Sequence, residues 1–289
     1  MSLKIVVLAK QVPDTRNVGK DAMKEDGTVN RSVLPAIFNP DDLNALEMAL
    51  QIKSQSEGAT LTVITMGPMR AADIIKEALF RGADNGFLLT DSKFAGSDTL
   101  ATSYALSKAV AKCEPDIIFC GVQAIDGDTA QVGPQIAEKL NIPQITYAEE
   151  IINFDNNTIQ IKRRLEHGTE IVETKLPVLI SVHSSAKPCR SRHAKLLMRF
   201  KHAATKSQLA TLKPEFQALH TQNPQLTIGE WNVNDVQADV ERLGLGGSPT
   251  KVKKIDSVVL TQKESKKFTS CDGDIEQMVT ELMESKVIG

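Results

Sequence analysis

The first 150 residues alternate short apolar runs with segments of helical spacing. LKIVVLA (3–9), ATLTVITM (59–66), GFLLT (86–90) and PDIIFCG (115–121) are near-continuous apolar runs bounded by polar or turn residues, the pattern of strands buried on both faces. Between them, Asp41–Ser54, Met69–Arg81 and Asp98–Cys113 carry apolar residues at helical spacing, with Leu43, Leu46 and Leu50 on one side of the first. Asn39 followed by Pro40 predicts a helix start, with an Asn cap and proline in the first turn. Strand and helix in alternation predict an α/β fold: a doubly wound, mostly parallel sheet with ligands at the carboxyl ends of its strands.

The pattern changes after residue 148. Residues 149–182 read as strand, Asp-Asn-Asn turn, strand, Gly turn and strand, a small antiparallel excursion that returns to a buried strand at Pro177–Val182. Residues 207–250 carry Pro214, Pro224 and a GLGGSPT cluster and predict an irregular stretch. Ile275, Met278, Val279 and Leu282 share one side of a predicted helix over Asp274–Lys286. The chain thus divides into a domain over 1–206 and an arm over 207–289 whose helix packs on a partner.

Composition narrows the function classes. The 289 residues are 41% hydrophobic and 24% charged, with a formal net charge of −2, which gives no case for nucleic acid or an anionic membrane. No apolar run approaches the ~18 residues that span a bilayer. The four cysteines, Cys113, Cys120, Cys189 and Cys271, form no CxxC pair and suit reduced thiols in a cytoplasmic protein. His183 and His193 have no acidic cluster beside them and make no metal site. Between 183 and 206, Lys187, Arg190, Arg192, Lys195, Arg199, Lys201 and Lys206 occur without one acid, a solvated basic face or a landing surface for an acidic partner.

Candidate chemistry concentrates in GVQAIDGDTAQVGPQIAEKL (121–140), directly after a buried strand. Gly121 and Gly127 permit close backbone approach or positive φ, and Asp128-Thr129 predicts a helix start running to Leu140. First-turn amides of such a helix form an anion site. The Thr129 hydroxyl adds to it, while Asp126 and Asp128 turn to a helix cap and a ribose hydroxyl. A bare turn with a capping aspartate fits equally, because neither GxxxxGK[ST] nor GxGxxG is present. ITMGP (64–68) and FNPDDL (38–43) should lie on the same sheet edge. GSDTLATS (96–103) predicts a further helix start, capped by Ser97 or Asp98.

Together LAKQVPD (8–14), FNPDDLNALEMAL (38–50), VITMGP (63–68), ALFRGAD (78–84), the 121–140 segment and GSPTKV (247–252) resemble the beta subunit of electron transfer flavoproteins over essentially the whole chain. The resemblance implies a partner alpha subunit holding FAD, and a beta site for AMP or, in electron-bifurcating members, a second FAD. It implies nucleotide contacts at Leu8, Ala9, Asn39, Pro40, Asp41, Asp42 and Met66. The 121–132 loop supplies the rest: Gly121, Gln123, Ala124, Ile125, Asp126, Gly127, Asp128, Thr129, Ala130, Gln131 and Val132. DGDTAQVGP and GSDTLATS resemble the bifurcating members, with Thr99 and Thr102 facing a flavin, so FAD is expected before AMP. The family's docking loop reads close to NEPRY with a hydrophobic anchor. Here it is SAKPCRSRHAKLLM (185–198), which keeps Pro188, carries Arg190, Arg192 and Lys195, and sets His193 about where the anchor would be. A dehydrogenase or other redox partner is expected there. An adenylating enzyme needs an SGGxDS-type loop after the first strand and a stress-type nucleotide sensor a glycine-rich phosphate loop. Here AKQVPDTRN follows that strand.

Overall fold

The computed structural model describes residues 2–14, 34–155, 157–251, 265–285 and 287–288. Strand β1 (Lys4–Leu8) runs into a two-stranded antiparallel ribbon, β2 (Gln11–Pro13) with β3 (Ala36–Phe38), and then helix α1 (Pro40–Gln55). There follow β4 (Thr60–Met66), α2 (Ala72–Leu79), β5 (Asn85–Leu89), α3 (Thr99–Ala111), β6 (Ile117–Gly121) and α4 (Val132–Leu140). The antiparallel excursion comprises β7 (Gln144–Phe154), β8 (Thr158–Leu165) and β9 (Gly168–Lys175), and β10 (Val178–Val182) re-enters the sheet. The chain continues through α5 (Ala194–Phe200), β11 (Ala204–Thr205), α6 (Lys206–Leu209), α7 (Pro214–Gln222), β12 (Thr227–Trp231) and α8 (Asp272–Glu284).

Ten strands form one sheet in the order β11-β12-β5-β4-β1-β6-β10-β7-β8-β9. It is parallel from β11 to β7. Alternate strand residues feed two cores. Ile5, Val7, Leu61, Val63, Ile117, Phe119 and Ile180 face α1 and α2, with Leu46, Ile75 and Ala78 among the residues they meet. Val6, Leu8, Ile64, Ile118 and Leu179 face α3 and α4, against Tyr104, Ala105, Ile136 and Ala137. Helices on both faces explain why these strands read as unbroken apolar runs. The chain leaves β1 towards β4 and β5 and returns to β6 on β1's other side, so the winding reverses between β1 and β6, where such sheets bind ligands.

Two expectations change here. Residues 207–231 are not irregular: β12 pairs with β5 and carries β11 at its outer edge, so the sheet extends to Trp231, past the expected boundary at 206. The reason lies in one aromatic stack. Phe87 and Trp231 are parallel rings 3.9 Å apart, and a Cβ at Gly229 would sit 2.2 Å from Phe87 Cδ1. The glycine that looks like a strand breaker is the gap that admits the ring. The C-terminal helix starts at Asp272, two residues early, and leaves Ile275, Val279 and Met283 exposed. Asn156, Val252 and Lys286, part of the expected turn, motif and helix, lie outside the described residues.

Candidate functional site: the carboxyl edge between the first and sixth strands

The edge is built by the start of α1. Pro40 is the first helical residue, as expected, but Asn39 does not cap. Its buried side chain instead donates to the Gln123 carbonyl (2.8 Å) and accepts from the Ile125 amide (3.2 Å). Asp42 does the same for the strand ends: Oδ2 accepts the Lys10 amide and Oδ1 the Gly121 amide, each at 2.8 Å. Burial raises the Asp42 carboxyl to about 7, against the pull of those two amides. Asp41, half-buried, is also raised by burial, and lies in the fields of His183 and Asp128. Leu8 and Ala9 are buried at the end of β1, where the Ala9 amide donates to Ile64 O; Met66 ends β4, half-buried against the α3–α4 core.

The loop after β6 departs from the expected geometry. Helix α4 begins at Val132, four residues after the expected start at Asp128, and Gln131, not Asp128, occupies the position before it. Asp128 (φ 47) and Ala130 (φ 53) are left-handed, which interrupts a right-handed helix. Gly127, expected as the special turn residue, has no positive φ, and a Cβ there would meet nothing within 4 Å. The turn is closed by the Gly127 and Asp128 amides donating to Ala124 O (3.2 and 2.9 Å). Lys10 Nζ grips both Asp126 carboxylate oxygens at 2.7 and 2.8 Å. The Asp126 charge is therefore offset, and of the loop's two aspartates Asp128 is the exposed one, with no ion pair among the described residues.

What this conformation leaves open is a run of donors. Among the described residues the amides of Thr129, Ala130, Gln131, Val132 and Gly133 donate to no protein group, nor does the Thr129 hydroxyl. They stand at the N-terminal end of a nine-residue helix, where the helix dipole adds to a concentrated set of N–H groups. Such a run suits a phosphate or pyrophosphate.

The start of α3 joins this loop. Thr99 Oγ1 donates to Gln131 Oε1 (2.9 Å), and Ser103 Oγ to Gln135 Oε1 (2.8 Å). Thr102, one turn on, is half-buried with a hydroxyl that bonds no protein group among the described residues. Asp98 caps α3 through the Ala101 amide (3.0 Å), while its other oxygen accepts from the Thr250 amide and hydroxyl. The GLGGSPT cluster is thus a brace on α3: Ser248 Oγ accepts the Asp98 amide at 2.8 Å.

The 184–193 loop is less free than its composition implies. The acids missing from the segment come from α1 and α2. Glu47, 3% exposed, takes Arg190 on both oxygens, and Glu77 takes Arg192 at 3.2 Å. Pro188, His193 and Lys195 are exposed, and the His193 backbone amide is tied to Phe80 O. Lys187 and Lys195 form no ion pair among the described residues. Neither His183 nor His193 joins a metal-holding group among the described residues. Sequence reasoning missed Lys10, although a cation directly after β1 and opposite an acidic loop is a legible signal. It also missed Glu47, whose partner is 143 residues away.

Among the described residues no helix is long and apolar enough to cross a membrane. The family model described as electron transfer flavoprotein domain matches residues 26–211. The chain is 42% identical over 282 residues to "Electron transfer flavoprotein subunit beta" of Thermoanaerobacterium thermosaccharolyticum, covering 98% of this chain and 97% of that one. The subunit of the same description from Megasphaera elsdenii is 39% identical over 293 residues, with 99% and 98% covered. "Caffeyl-CoA reductase-Etf complex subunit CarD" of Acetobacterium woodii is 39% identical over 251 residues, 86% of each chain. A doubly wound fold, a family model spanning well over half the chain and near-full-length likeness to beta subunits lead to one conclusion: this chain belongs to the electron transfer flavoprotein family, on its beta-subunit branch.

Proposed function

We propose that this chain is the nucleotide-holding beta half of a heterodimeric electron transfer flavoprotein, and that its own ligand is FAD. The observation that carries the reading is the run of five open amides from Thr129 to Gly133, together with the Thr129 hydroxyl, at the start of α4. The amides would hold the pyrophosphate. Asn39 and Asp42 keep the loop and strand ends in place, Lys10 cancels the Asp126 charge beside the anion, and Asp128 is left for a ribose hydroxyl. The backbone at Met66 meets the adenine. At the start of the adjoining helix, Thr102 offers a hydroxyl to the flavin ring, and Thr99, whose proton goes to Gln131 Oε1, offers its oxygen as an acceptor. When bound, the flavin supplies the electron-carrying chemistry; the chain supplies position and electrostatics.

The partner is an alpha subunit carrying a further FAD, packed against the segment after Trp231 and the exposed apolar side of α8. Four unpaired cysteines support work in the cytoplasm. The electrons pass between NADH or a dehydrogenase and an acceptor, with bifurcation between two flavins as the operating mode. A relative named as the electron transfer subunit of an acryloyl-CoA reductase, 49% identical over 182 residues, supports a CoA-ester reductase as one redox partner.

The second reading, a non-bifurcating subunit with a structural AMP, uses the same phosphate donors and leaves Thr99 and Thr102 without a ligand. The test is visible spectroscopy of the purified heterodimer titrated with NADH. FAD in the beta site predicts two kinetically separate flavin bleaching phases. A single phase accounting for one flavin favours AMP.

A further inference from the structure

One helix indexes both ends of this molecule's working surface. The first turn of α1 holds the nucleotide edge through Asn39 and Asp42. Its next two turns hold the 184–190 loop. Asn44 Nδ2 donates to Ser184 O and Ala186 O, each at 3.1 Å. Glu47 then takes three donors from one residue: Arg190 Nε on Oε2 (2.8 Å), Arg190 Nη2 on Oε1 (3.0 Å) and the Arg190 backbone amide on Oε2 (3.0 Å). Gln51 Nε2 approaches Oε1 from the same helix at 3.4 Å. This is a forked, charge-assisted contact on a carboxylate that is 3% exposed. A second latch lies further on, where Glu77 of α2 pairs with Arg192 and the His193 amide donates to Phe80 O (2.8 Å).

On either side of the latches Lys187 and Lys195, the latter in the first turn of α5, are exposed and form no ion pair among the described residues. The loop therefore presents charge from a fixed backbone. Docking onto a loop already held in one shape avoids the ordering cost that a loose basic loop would incur.

We propose that Glu47 is a positioning residue for redox-partner docking: through Arg190 it sets the 184–193 loop, and with it the start of α5, so that Lys187 on the loop and Lys195 on the helix face an acidic partner surface. The role rests on the reading that this loop meets the redox partner. Glu47 lies buried beneath the loop, with Arg190 between it and solvent. It acts through Arg190, and the buried end of the pair keeps its strength at salt concentrations that screen Lys187 and Lys195.

The experiment compares Glu47→Gln and Arg190→Lys with the parent as full-length heterodimers. Limited trypsin digestion reads the latch alone. Cleavage after residues 190, 192 and 195 should accelerate at least tenfold in Glu47→Gln, while nucleotide retention and NADH-driven flavin reduction stay within twofold. Arg190→Lys, which keeps the charge and loses the fork, should fall between at residues 192 and 195, and it carries the test if Glu47→Gln does not fold. Steady-state transfer to a CoA-ester reductase that the heterodimer reduces should show KM up roughly tenfold with kcat held within twofold. Unchanged trypsin cleavage in both variants, or loss of nucleotide in step with cleavage, overturns the proposal. A Lys187→Ala/Lys195→Ala heterodimer with unaltered KM overturns instead the docking role of the loop, and the trypsin result still decides whether Glu47 sets its shape.

Discussion

The Gly121 amide sits 2.8 Å from Asp42 Oδ1, and a Cβ on Gly121 would lie 2.6 Å from that same oxygen and from Asp41 Cβ. Glycine is required here by proximity, not by backbone conformation: α1 begins so close to the end of β6 that no side chain fits. Gly121→Ala should force α1 away from the strand, costing about 2–3 kcal/mol as an overpacked core position does. Chemical denaturation measures this, and nucleotide retention should fall with it. An unaltered midpoint contradicts the close contact.

Asp42 makes a pH prediction. Burial raises its carboxyl from 3.8 to about 7, so the neutral form favours the fold. Its contribution is full below the unfolded value, declines as pH rises towards 7, and is gone above it. At ~1.4 kcal/mol per unit, stability attributable to Asp42 falls by up to about 4 kcal/mol between pH 4 and 8. Asp42→Asn should remove that slope. It should also cost about 1–3 kcal/mol at the acid end, because its amide nitrogen faces one of the two donors, Lys10 or Gly121. Urea unfolding across this range should give profiles of different slope; parallel profiles rule the assignment out.

The loop's left-handed residues reverse an expectation drawn from glycine. Gly127→Val should change little, because its backbone is ordinary and a Cβ meets open space. Ala130→Val should lose about 1–2 kcal/mol of stability, since a branched side chain suits φ 53 poorly. Thr129→Ala should weaken nucleotide binding by roughly 0.5–1.5 kcal/mol, one neutral hydrogen bond. Isothermal titration and thermal melting of the three variants separate these effects, and greater damage from Gly127→Val than from Ala130→Val contradicts the loop geometry.

Neutralising the free cations tests docking more cleanly than neutralising the paired ones. Lys187→Ala/Lys195→Ala should slow association with the redox partner, and the deficit should shrink as added salt screens the parent. Arg190→Ala is a different experiment. It strands the Glu47 carboxylate, which burial raises and Arg190 holds below its ordinary value, and should cost several kcal/mol of stability. Stopped-flow rates against salt distinguish them.

The sheet's centre was legible because β1, β4, β5 and β6 are covered on both faces, and continuous apolar runs such as IVVL and DIIF follow from that. The edge was not. β12 reads TIGEW, with a glycine and a glutamate, and its glycine answers to Phe87 more than 140 residues earlier. The candidate loop was found because a buried strand runs into small and acidic residues. Its helix start was misplaced because Asp128 and Ala130 carry no left-handed signature that glycine would have given. Glu47 reads as one more polar residue on an amphipathic helix, and only the fold brings Arg190 to it.

On the proposed reading the amides of Thr129 to Gly133 hold an FAD of the beta chain's own. Denaturing the purified heterodimer and quantifying released flavin and AMP by chromatography addresses it directly. An FAD in the beta site gives two FAD and no AMP per heterodimer; one FAD, with or without one AMP, would contradict it.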